Sequence, residues 1–174
     1  MLNCFQQAHH AMLPVPTHDE ASRQEFAKSL KGFIQSGLLP GLAPVYQTRA
    51  AKAFEREHGR KPEDRRDIRA AMVPDSYFQL YASINRIAQE LLWESTNLSV
   101  ERELPALIEK ARELSSATEA QLVLPEGFVP PRYVTALDIH CMPGGYASEV
   151  CEDDVSVGVL YDRGVFLYSM GYGG

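Results

Sequence analysis

The stretch YFQLYASINRIAQELL, residues 77–92, sets Tyr77, Leu80, Tyr81, Ile84, Ala88, Leu91 and Leu92 at steps of three, four and seven. A helix repeats every ~3.6 residues, so this spacing gathers them into one wide apolar stripe and predicts a central helix. Downstream, Leu104, Leu107, Ile108, Ala111 and Leu114 keep helical register over Ser99 to about Leu114, with Pro105 either in the first turn or at a kink. Upstream, PEDRRDIRAAM from Pro62 carries acids early and offers Ile68, Ala71 and Met72 for burial before Pro74. A further helix starts near Pro44, places Val45, Tyr46, Ala50, Ala53 and Phe54 near one face, and ends by Gly59. Thr17 and Glu20 have capping-box spacing, and Phe26, Leu30, Phe33 and Ile34 follow until Gly37, which predicts a first helix over 18–36. These segments predict a mainly α fold, a helical bundle of about five helices with a small C-terminal β or α/β segment.

The β expectation comes from both sides of a loop-rich region. RYVTALDIH, from Arg132 to His140, is rich in β-branched and aromatic residues and predicts a strand. VSVGVLYDRGVFLYSM reads either as two strands around Asp162-Arg163-Gly164 or as one helix after Asp153 and Asp154, and the hairpin is the favoured reading. The organisation expected is an N-terminal arm over 1–16, a helical bundle over 17–116, and a strand and loop segment over 117–174 packed on the bundle as one domain.

Over 174 residues, 45% are hydrophobic and 23% charged, which excludes a mainly disordered or fibrous chain. The net charge of -6 has the wrong sign for wrapping a phosphate backbone, so no nucleic-acid partner is expected. No apolar run approaches the ~20 residues needed to cross a bilayer, and the start lacks a secretory pattern. The expectation is a cytoplasmic protein without a membrane partner. Cys4, Cys141 and Cys151 leave an odd thiol under any pairing, so reduced thiols are expected.

The densest chemistry lies in DIHCMPGGY, Asp138 to Tyr146. A polar segment that breaks into Pro-Gly-Gly lets backbone approach a ligand, because glycine lacks the Cβ barrier. His140, Cys141, Glu149 and Cys151 offer donors that zinc accepts, but their spacing matches no zinc pattern, and no metal is expected. Cys141 beside His140 would need a third group to hold the imidazole, which the sequence neither names nor excludes, and no GxSxG elbow selects a serine. The basic run Arg56 to Arg69 is interleaved with acids and reads as a solvated helix face. Tyr77, Phe78, Tyr81 and Trp93 stand at helical spacing and read as core.

YFQLYASINRIAQELLWES (77–95), ERELP (101–105), RYVTALDIHCMPGGY (132–146) and LYDRGVFLYSMG (160–171) resemble the region preceding the catalytic domain in a group of bacterial class I S-adenosylmethionine-dependent methyltransferases. The resemblance covers roughly residues 25–171, and DIHCMPGGY followed by YDRG is its most specific part. In that family the cofactor-binding Rossmann domain lies C-terminal to this region. The closing GYGG lacks the flanking strand and helix of a cofactor loop, so S-adenosylmethionine is expected only with a further C-terminal domain. The resemblance therefore implies an accessory domain that recognises substrate or dimerises, from a truncated, split or stand-alone methyltransferase-like protein. It implies that Asp138 to Tyr146 face a shared active site, with Asp138 and His140 as candidates to orient or deprotonate an acceptor. The candidate residues for binding a small-molecule substrate are His140, Cys141, Met142, Gly144, Gly145, Tyr146, Tyr161 and Arg163. Two alternatives stay open: a free-standing small enzyme or ligand-binding protein with its pocket around Asp138–Tyr146, and a non-catalytic homodimerisation module built on the apolar C-terminal stretch.

Overall fold

The computed structural model of the chain describes residues 7–119, 123, 125–136, 140–146 and 148–172. These residues are mainly helical, and none of them forms a strand. The chain divides into two compact units, Met1–Lys28 with Gln89–Gly174, and Ser29–Ala88. No helix among the described residues is long and apolar enough to cross a membrane.

Helix α1, His18–Phe33, starts as its sequence dictates. The Thr17 amide donates to Glu20 Oε2 (2.7 Å) and the Glu20 amide donates to Thr17 Oγ1 (3.3 Å), so each residue satisfies a backbone donor of the other. Arg102 of α5 (Ser76–Ala117) donates to both Glu20 oxygens, at 3.0 and 2.7 Å, and to the Val15 carbonyl at 2.8 Å, which ties the arm to this helix start. The Arg102 guanidinium, helped by Thr17 and opposed by burial, holds the Glu20 carboxyl down at about 2 from 4.5. A carboxyl depressed on folding stabilises fully above its unfolded pKa and loses that contribution as pH falls through the folded one. Glu20→Gln should therefore flatten the loss of stability between pH 4.5 and about 2. Because the Arg102 side chain stays 40% exposed and solvent screens the pair, the effect near neutral pH should be about 1 kcal/mol, read by urea unfolding across that range.

Helix α5 runs unbroken for 42 residues, where sequence spacing predicts two helices. Nothing between Trp93 and Ser99 breaks a helix, and Ser95 and Thr96 turn their hydroxyls back to the Leu92 carbonyl, each at 2.9 Å. Pro105 lies inside this helix, where its missing N–H leaves the Glu101 carbonyl without its helical donor. The stripe over 77–92 is buried toward its C-terminal end, at Ala88 and Leu92, whereas Leu80 is half exposed.

The C-terminal stretch folds as helix α7, Ser156–Tyr168, and not as the favoured hairpin. Val159, Leu160, Phe166 and Leu167 recur at helical spacing and join Ala27, Leu92, Trp93, Val100, Leu107 and Met142 in one core. Asp154 accepts from the Ser156 amide at 2.7 Å before the first turn, and a Schellman closure ends the last. There the Gly171 amide bonds the Phe166 carbonyl and the Met170 amide bonds that of Leu167, with Met170 left-handed at φ 57°. Core packing on one helical face outweighs the β-propensity of the valines, and Gly164 allows it, because any side chain there would meet Trp93. The expected strand over 132–140 is also corrected in its described part: Arg132–Thr135 forms a single helical turn, α6. Pro131 presets the backbone at its start, and no described strand stands beside it to pair.

In the second unit, residues 34–58 are one succession of helical turns: a π turn at Ile34–Leu38, a 3₁₀ turn at Leu39–Gly41, α2 at Leu42–Val45, a π turn at Tyr46–Ala50 and α3 at Ala51–His58. Gly37 therefore does not terminate the first helix. Pro40 and Pro44 cannot donate to the preceding turn, and the amides of Leu39 and Ala51 reach one residue further back instead, to Ile34 and Tyr46. Gly41 is required because a Cβ there would lie 2.1 Å from the Tyr77 hydroxyl, which donates to the Leu38 carbonyl at 2.8 Å. Gly59, left-handed at φ 68°, ends α3 as its sequence position predicts. Asp64 caps α4, Arg65–Met72, by accepting from the Arg66 and Asp67 amides, and Ala50, Phe54, Ala71 and Met72 form this unit's core.

Candidate functional site

Gln89 and Trp93 are four residues apart on α5 and so share a face. Both donate to the His140 carbonyl, Gln89 Nε2 at 3.0 Å and Trp93 through its indole N–H. This anchors the loop that follows. Cys141 is left-handed at φ 60°, and Met142 turns into the core with 3% of its surface exposed. Met142-Pro143-Gly144-Gly145 closes a β-turn, with the Gly145 amide on the Met142 carbonyl at 2.9 Å. Proline precedes the left-handed Gly144 (φ 72°), the order a type II turn requires.

The turn brings Tyr146 back over His140. The Tyr146 hydroxyl and His140 Nδ1 are hydrogen-bonded at 2.8 Å, and the rings meet edge to face with centroids 5.8 Å apart. Tyr161 of α7 extends the row, 5.9 Å from the Tyr146 ring and again edge to face. The structure thus gathers His140, Tyr146 and Tyr161 into one cluster on the surface, with the two tyrosines 41% and 48% exposed. Such a row offers ring faces for stacking and imidazole and phenol groups for hydrogen bonding and proton transfer.

The other sequence candidates are placed differently. Asp138 lies outside the described residues. Cys141 is half-buried against the core, and neither it nor Cys151 is in a disulfide. Gly144 borders a small cleft of about 120 Å³ shared with Pro143, Ser148 and Val157. Arg163 turns toward α1: it donates to Gln24 Oε1 at 3.0 and 2.8 Å and to Gln7 Oε1 at 2.9 Å, and its guanidinium lies over the Phe166 ring. No group of three or more His, Cys, Asp or Glu among the described residues could hold a metal ion.

Sequence reading missed Gln89 and Trp93 as anchors of His140. Their i, i+4 spacing is visible, but a contact to a backbone carbonyl 47 residues away from Trp93 leaves no sequence signal. No family model, curated protein or solved structure matches the chain.

Proposed function

We propose that this chain is the substrate-recognising part of a methyltransferase-like protein, without an S-adenosylmethionine site of its own. A small acceptor is held at the row His140, Tyr146 and Tyr161. The observation that carries this reading is the convergence of that row: residues from two separated motifs meet at ring-contact distance, fixed from behind by Gln89 and Trp93. The exposed ring faces suit a planar acceptor with a hydrogen-bonding group, and His140 is placed to orient or deprotonate that group. In this reading Asp138, which lies outside the described residues, is a candidate alongside His140 to orient or deprotonate the acceptor. The homodimer alternative is less well supported, because Val159, Leu160, Phe166 and Leu167 of the C-terminal stretch on which it relied lie in the core.

The cofactor half of the reading is tested by calorimetry. Titration of the purified chain with S-adenosylmethionine should be silent, and saturable heat at micromolar concentration would contradict the proposal.

A further inference from the structure

A cleft in the unit Ser29–Ala88 has a volume of about 510 Å³ and lies between α3, with the π turn before it, and α4. Phe54, Ala71 and Pro74 give it apolar walls. Lys52 and Arg56, four residues apart on α3, both line it, and neither has a hydrogen-bond, ion-pair or ring partner among the described residues. Arg49 at the edge is already spent on Asp75, through two bonds of 3.0 and 2.9 Å. Glu57 also lines the cleft without a partner among the described residues. The unspent charge at the cleft is therefore two cations against one anion.

Two further observations mark this place. The π turn Tyr46–Ala50 contributes Thr48, Arg49 and Ala50 to the cleft, and π turns concentrate at functional sites because they interrupt the regular helix ladder at a cost in stability. The unit also carries ten Lys and Arg against six Asp and Glu, net +4, while the remainder carries seven against seventeen, net -10. A chain acidic overall thus keeps a locally positive unit around this cleft.

We propose that this cleft binds a small carboxylate: a molecule with one anionic group, held by Lys52 and Arg56, on an apolar body that packs against Phe54, Ala71 and Pro74. Glu57 disfavours a second negative charge. The volume fits a small ligand. This site is independent of the His140 row, and its failure leaves that reading untouched.

The test uses the full chain with phenylacetate and its neutral isostere phenylacetamide, followed by NMR titration. Phenylacetate should bind in the millimolar range or tighter and at least about tenfold better than phenylacetamide. Lys52→Gln with Arg56→Gln, two exposed changes that leave the core intact, should weaken phenylacetate about tenfold, while Glu57→Gln should tighten it roughly threefold. No saturation by about 10 mM phenylacetate, equal binding of the amide, or indifference to the Lys52 and Arg56 changes would each overturn the proposal.

Discussion

Gly164→Ala should destabilise the protein by about 3 kcal/mol, although alanine is the better helix former by about 1 kcal/mol. The two effects oppose each other, and geometry decides between them. A Cβ on Gly164 would lie 2.1 Å from Trp93 Cζ3 and 2.6 Å from Cη2, far inside contact distance. Trp93 cannot easily give way: it is 3% exposed, packed in the core and held by its indole N–H on the His140 carbonyl. Helix α7 must therefore move off α5, or the indole must leave its place and release His140. Urea unfolding reads the first effect, and the His140 and Tyr146 ring resonances read the second. A Gly164→Ala protein as stable as the parent, with those resonances unmoved, would show that α7 does not pack on Trp93 as described.

The second large effect is expected at Arg163. Burial lowers its pKa, against the fields of Glu25 and Asp162 that raise it, and among the described residues its hydrogen bonds go to the neutral oxygens of Gln24 and Gln7. Gln24 is almost fully buried, and its amide nitrogen is already committed to Ser99 Oγ at 3.1 Å and the Ser95 carbonyl at 3.3 Å. Arg163→Met leaves Gln24 Oε1 buried with no donor and should cost about 2–3 kcal/mol. Removing both partners is less damaging than removing one, so Arg163→Met with Gln24→Leu should recover at least about 1 kcal/mol relative to additivity. Additive losses in a double-mutant cycle would mean that the two side chains are not coupled.

Arg163 and Gly164 sit in the YDRG segment, where the sequence offers a turn as readily as a helix. The Asp-Arg-Gly run satisfies hairpin composition, and the valines around it favour strands. What decides for the helix is Trp93, 71 residues earlier, whose ring fills the space an alanine would need. Local propensity cannot register that contact. The same holds for Pro40 and Pro44, which locally read as a linker and a helix start but lie inside one succession of helical turns, Pro40 in the 3₁₀ turn and Pro44 in α2. Where signals are local the reading succeeds: Thr17 with Glu20 forms the reciprocal cap, and Gly59 takes the left-handed C-terminal position. For the candidate site, DIHCMPGGY was legible as the segment where backbone turns sharply. Its meeting with Tyr161 and its anchoring on α5 were not, because neither partner lies within the motif.

Residue-resolved NMR of the chain titrated with indole, phenol and imidazole probes the recognition row at His140, Tyr146 and Tyr161. At least one probe should shift the ring resonances of all three residues together. Tyr161→Ala should weaken this binding about fivefold, the loss of one ring contact worth about 1 kcal/mol. Shifts confined to other regions, or binding unchanged by Tyr161→Ala, would contradict recognition at this row.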